Sequence, residues 1–170
     1  HGPVVTQLGA QGSRAAEPLF ALLESAQPPP ALRGRPVVRG VAEGPVVGGN
    51  LSVLTRLLGT PYLPPFDGAI LFVEDVTERP YRLDRMWQHL ELAGVLGRVA
   101  GIALGSFTGC DDAELNGEQV VRELAEATGL PCVAGLPVGH GDENLPLPLG
   151  ARARLDGDAG TLEFLEGAVA

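Results

Sequence analysis

Residues Asp67 to Trp87 read DGAILFVEDVTERPYRLDRMW, and this stretch decides the fold. Ile70–Leu71–Phe72–Val73 is an apolar run too short for a helix and rich in strand formers, with turn chemistry ahead of it at Asp67–Gly68, so it predicts a buried strand. Glu74 and Asp75 follow at its end. Alternation along a strand puts Ile70, Phe72 and Glu74 on one face and Asp75 on the other. Pro80 suits a first helical turn, and Leu83, Met86, Trp87 and Leu90 recur at i, i+3, i+4, i+7, one apolar face of a helix. A carboxylate at the carboxyl end of a buried strand is where open α/β sheets place chemistry. The alternative is that Glu74 and Asp75 cap the loop and pair with Arg79, Arg82 or Arg85.

The rest of the chain extends this alternation. Residues 1–12 read as a connecting segment. Ala15–Ala26 predicts a helix with Leu19, Leu22 and Leu23 on one face and Ser13 as N-cap, ended by Pro28–Pro29–Pro30. Val37–Val38 and Val46–Val47 predict strands around a turn at Glu43–Gly44–Pro45, with Pro45 at an edge or boundary. Asn50 is a good N-cap for a helix buried through Leu51, Leu54 and Leu58 and closed at Gly59. Val99–Leu104 predicts a strand, Gly105–Glu114 a polar loop, Gly117–Thr128 a helix facing inward through Val120, Val121, Leu124 and Ala125, and Pro131–Leu136 a further strand. Strand, helix, strand, helix, strand is the signature of a parallel sheet with crossover helices. Ala151–Leu155 and Thr161–Leu165 flank DGDAG and predict an antiparallel hairpin. The expected fold class is therefore α/β, a parallel central sheet with an added antiparallel β part.

With 170 residues and 45% apolar content the chain can build one domain with a real core. A net charge of −9 argues against nucleic acid and anionic membrane as partners. No apolar run approaches the ~20 residues that span a bilayer, and no stretch reads as a signal peptide. All twelve basic residues are arginine, a bias without a physical reason in the sequence. Cys110 and Cys132 have no histidine at metal-site spacing. They read as free thiols of a reducing compartment, with a single disulfide left open.

Glu74 ends the first core strand and His140 lies just past the third. Parallel strands bring their carboxyl ends to one edge, so the two can meet there. A carboxylate bound to one ring nitrogen orients an imidazole and stabilises its charged form, making a general base; a hydrogen-bonded structural histidine is the competing reading. Gly139 and Gly141 permit unusual backbone geometry and close ligand approach, or form an ordinary turn. His89 falls off the apolar stripe and reads as exposed, and His1 carries no reading by itself. Gly48–Gly49–Asn50 lacks the lysine of a phosphate loop. Ser106, in GSFTG, is not in a nucleophile elbow; it and Thr108 read as loop residues lining a cleft.

Four stretches, GGNLSVLTRLLGTPY (48–62), ILFVEDVTERPYRLDRMWQHLELAGVL (70–96), GIALGSFTGC (101–110) and LPVGHGDENLPLPLGARARL (136–155), together resemble the carboxyl-terminal half of the LD-carboxypeptidase family of serine peptidases. That family also holds the microcin-immunity peptidases. The resemblance covers about residues 36 to 165 and implies a swivelling β/β/α domain over 36–170, with 1–35 as interdomain linker and leading helix. It implies a cytoplasmic enzyme of cell-wall recycling that releases terminal D-alanine from murein tetrapeptides, without a cofactor or metal, and often as a homodimer. It identifies Glu74 with the family's catalytic glutamate and His140 with its catalytic histidine; Glu78 is the runner-up for the glutamate. Ser106 and Asn144 are placed near the substrate pocket by position alone. The family's nucleophilic serine belongs to an amino-terminal domain whose Gly-, Ser- and Asp-rich turn is not found in these residues, and HGP at 1–3 resembles the seam where that domain ends. The implied partners are a murein peptide and that nucleophile domain. Alternatives are a peptidase for peptide–nucleotide antibiotics and a non-catalytic binding or assembly domain.

Overall fold

The structure, a computed structural model, describes residues 1–8 and 15–169. In chain order the described elements are α1 (Val5–Leu8), α2 (Ala16–Glu24), β1 (Leu32–Arg33), β2 (Arg35–Val38), β3 (Val41–Asn50), α3 (Leu51–Thr55), β4 (Ile70–Val76), α4 (Pro80–Leu92), β5 (Gly101–Thr108), α5 (Gly117–Ala127), β6 (Cys132–Ala134), β7 (Arg152–Asp156) and β8 (Thr161–Phe164). The strands form one sheet in the order β1-β8-β7-β3-β4-β5-β6-β2. Its core, β3-β4-β5-β6, is parallel. β7 and β8 flank the core on one side and β2 on the other, all antiparallel to their neighbours. β1 and β2 are the two outermost strands yet are joined by Gly34 alone. The sheet edges must therefore meet, and the sheet curls into a nearly closed barrel.

This closure explains the distribution of the core. Leu71, Val73, Ile102 and Leu104 pack outward against Leu51 and Leu54 of α3, Leu83, Trp87 and Leu90 of α4, and Val121 and Ala125 of α5. Ile70, Phe72, Ala103 and Val133 point the other way and fill the barrel with Ala153, Leu155, Leu162 and Phe164 of the hairpin. Covered on both faces, β4 is buried from Ile70 to Asp75, the continuous apolar character expected of parallel strands.

Most predicted elements are present, with differences at their ends. β4 runs on through Glu74 and Asp75. β5 runs to Thr108, so Ser106 lies in a strand and not in a polar loop. The turn expected at Glu43–Pro45 is instead at Arg39–Gly40, and Pro45 sits in the middle of β3. There β3 changes partner, from β7 at Pro45 to β4 at Val46, a position that tolerates a missing N–H. Asn50 caps α3 by accepting from the Val53 N–H, but α3 ends at Thr55, and Gly59 lies in the turns that follow. In α2 Leu22 is buried whereas Leu23 is exposed, so the stripe is narrower than predicted. Ser13 falls outside the described residues, and the residue before α2 is Ala15. Cys110 and Cys132 are buried free thiols; burial pushes them up to about 11 and about 12 respectively. No helix among the described residues is long and apolar enough to cross a membrane.

Trp87 is the largest fully buried side chain of the outer layer. Trp87→Ala is expected to destabilise the chain by ~3–5 kcal/mol, the usual penalty for truncating a buried aromatic. Leu92→Ala, at a side chain 86% exposed, should change stability by less than ~0.5 kcal/mol. Urea denaturation of the two variants checks this.

Candidate active site

Glu74 continues the barrel-facing row of Ile70 and Phe72, so the parity of β4 sends its carboxylate to the mouth of the barrel at zero solvent exposure. Asp75 takes the opposite face and serves α3 instead. It accepts from Asn50 Nδ2 at 2.9 Å, from the Ser52 N–H at 2.9 Å and from its neighbour Val76 N–H at 2.8 Å. Neither carboxylate pairs with the arginines of α4; Arg82 pairs at 2.8 Å with Glu78. Glu78, the runner-up for the glutamate, is thus engaged away from His140.

His140 arrives through the chain after β6. Leu136 N–H donates to the Leu104 carbonyl at 3.0 Å and Ser106 N–H to the Val138 carbonyl at 2.9 Å, which extends the parallel pairing beyond the regular strand. Gly139 follows at φ 132° and donates its N–H to Asn144 Oδ1 at 3.1 Å. Asn144 therefore braces the loop that carries His140. His140 Nδ1 ends 2.7 Å from Glu74 Oε2, with 48% of its side chain exposed. The pairing inferred from two parallel strand ends is met in the structure.

Close packing makes room for this pair. Between Val73 and Asp75 the β5 register shifts, from Leu104 to Phe107, which inserts an extra residue on β5 opposite Glu74. Such bulges re-aim side chains beside sites. Gly105 belongs to the bulge; a Cβ there would stand 3.0 Å from both Glu74 Cβ and Phe72. A Cβ on Gly139 would overlap the Ser106 hydroxyl and stand 2.9 Å from Glu74 Oε2. Ser106 Oγ is buried without a hydrogen-bond partner, beside the glutamate rather than in a solvent loop.

A third group joins them. His1 Nε2 lies 3.5 Å from Glu74 Oε1, a close charge contact longer than a good hydrogen bond. No local pattern points to a role for His1, because its place is set across 146 positions by a bond from its backbone nitrogen to the Leu147 carbonyl. Burial raises the Glu74 carboxyl pKa, but the polar contacts of the His1 and His140 rings, followed by their charges, outweigh it and hold the group below the ordinary carboxylate value. Asp75 goes the other way: burial dominates its own hydrogen bonds, and the Glu74 charge adds to the upward shift. His1, Glu74 and His140 are also a group with metal-ligand spacing, their donor atoms within 4.8 Å of one another. A metal would have to replace the existing Nδ1–Oε2 bond. What the arrangement does as it stands is hold a half-exposed imidazole by one nitrogen and leave its other nitrogen out of that contact.

Residues 43–155 match the family described as LD-carboxypeptidase C-terminal domain. Over 169 residues, 97% of this chain and 56% of the relative, the chain is 46% identical to the Synechocystis sp. protein slr1534, which carries a carboxypeptidase name. It is 37% identical to the murein tetrapeptide carboxypeptidase of Pseudomonas aeruginosa, over 93% of this chain and 56% of that protein. Among solved structures, the muramoyltetrapeptide carboxypeptidase of Oxalobacter formigenes superposes with a TM-score of 0.83 at 29% identity, covering 98% of this chain and 60% of that one. The chain spans about half the length of the curated relatives it matches.

The lowered Glu74 pKa fixes a sign. A carboxylate depressed in the native state contributes stability above its unfolded pKa, and loses it as pH falls through the native value. Glu74→Gln should therefore be most destabilised relative to the parent near pH 6–7, with the gap closing below about pH 4. Chemical denaturation of both proteins across that range checks it; a gap independent of pH would contradict the paired, ionised carboxylate.

Proposed function

The chain belongs to the LD-carboxypeptidase family, and from that membership and the Glu74–His140 contact we propose that it is the base-supplying half of a serine peptidase acting on murein peptides. The observation that carries this reading is the 2.7 Å contact between Glu74 Oε2 and His140 Nδ1. Glu74 is ionised at neutral pH, so Nδ1 carries the proton and donates it into that bond. Nε2 is then left with a lone pair, free of the Glu74 contact. In the reaction Nε2 takes the proton of an attacking serine hydroxyl while the serine oxygen bonds to the carbonyl carbon of the scissile peptide. The imidazolium so formed is stabilised by Glu74 and returns the proton to the leaving amine of D-alanine. Water then releases the acyl group by the same route in reverse.

The serine comes from a domain preceding this one, with residues 1–35 as the connection and 36–170 as the base-bearing domain. Serine attack needs base, nucleophile and an oxyanion site together, so this chain alone is inactive. Terminal D-alanine of a murein tetrapeptide is the leaving group. This assignment is supported by the relatives of Pseudomonas aeruginosa and Oxalobacter formigenes, whose names specify that class of peptide. Asn144 acts by holding the His140 loop, and the Ser106 hydroxyl stands buried beside Gly139 and Glu74, at the base of the site where the peptide binds.

Murein tetrapeptide should be hydrolysed by the protein carrying the preceding domain and not by this chain alone. In the longer form His140→Ala should lower kcat by about 10⁶-fold, as loss of the base does in a serine triad. Turnover by the isolated chain, or unchanged turnover in His140→Ala, would contradict the assignment.

A further inference from the structure

We propose that His1 is a positioning residue for the Glu74–His140 pair, clamping the second carboxylate oxygen so that the first is presented to His140 in a single orientation. The catalytic consequence rests on the function proposed above; the clamp itself rests on geometry alone.

His1 is fixed from several sides. Its backbone forms a reciprocal pair with Leu147, N to carbonyl at 2.9 Å and carbonyl from Leu147 N–H at 2.8 Å. Its ring stands edge-on to Phe72, centroids 5.8 Å apart, and edge-on to His140 at 6.1 Å. Only 15% of its side chain is exposed. Phe72 lies two residues before Glu74 on the same face of β4, so the strand that delivers the carboxylate also fixes the clamp.

Glu74 needs such a contact. Oε2 is committed to His140, while Oε1 is buried and has no hydrogen-bond partner within normal distance. The terminal torsion of a glutamate is broad and roughly two-fold. A carboxylate held at one oxygen can therefore swing and offer either oxygen, or neither, to the imidazole. His1 Nε2, 3.5 Å from Oε1, removes that freedom when it carries the ring proton. A neutral Nε2–H suffices. A fixed positive charge would draw the carboxylate away from the imidazolium that forms on His140 during turnover. His1 touches no reacting atom in this scheme; it acts through Glu74.

The test uses His1→Ala and His1→Gln, the second keeping a neutral donor. In this chain, the low-field proton resonance of the His140 Nδ1–H bond to Glu74 should be lost or broadened by exchange in His1→Ala and retained in His1→Gln. In the protein carrying the preceding domain, His1→Ala should lower kcat by about tenfold, the low end of what an outer-shell partner costs, with KM little changed, and His1→Gln should recover most of it. Circular dichroism confirms that both variants fold. An unaltered Nδ1–H resonance in His1→Ala, or equal loss in the two variants, overturns the clamp. The resonance is read without turnover. If the longer protein proves inactive on murein peptides, the proposed function fails while the resonance still decides the clamp.

Discussion

A carboxylate with no solvent exposure must be neutralised or matched, because leaving it charged and alone in the interior is prohibitive. Glu74 is matched by two imidazoles, at 2.7 and 3.5 Å. The rest of the site follows from that requirement. β4 must be covered on both faces to bury the carboxylate, and the crossover helices and the closed barrel do this. The chain beyond β6 must continue parallel to β5 so that His140 reaches the same rim. Gly139, at φ 132° with Ser106 and Glu74 against it, is where the backbone turns the ring inward; a side chain there would displace the pair it serves.

The neighbouring carboxylate shows how strand parity divides labour. Glu74 and Asp75 are adjacent and both buried, but one faces the barrel and the other the helical layer. Asp75 is satisfied by backbone N–H groups and Asn50, and so ties the end of β4 to the start of α3. Its pKa moves up while that of Glu74 moves down. The difference comes from their partners: imidazoles that carry or share positive charge on one face, neutral dipoles on the other. Two chemically similar residues thus become a brace and a member of a proton-handling pair.

Much of this is legible in the sequence. The apolar run ending in Glu74–Asp75, the helical stripe of Leu83, Trp87 and Leu90, and the DGDAG hairpin each carry a local period that tertiary packing did not override. The pairing of Glu74 with His140 followed from parallel strands sharing an edge. What was missed is non-local. Barrel closure depends on β1 and β2 meeting across Gly34, and no periodicity encodes it. The partner change at Pro45 looks like a turn in sequence because proline and glycine punctuate both. The bulge at Gly105–Ser106 is invisible without its neighbour β4, so a strand end read as a loop. His1 carries no local signal, since its place is set by pairing with Leu147.

The central claim is that Glu74 fixes the tautomer and direction of the His140 ring, making its outer nitrogen a base. Long-range ¹⁵N–¹H correlation spectra of the His140 imidazole near neutral pH test it most directly. The account predicts a proton on Nδ1, bound to Glu74, and an unprotonated Nε2 in the neutral ring. A neutral ring protonated on Nε2, with Nδ1 bare, would contradict it, because the lone pair would then face the carboxylate and no base would face the substrate.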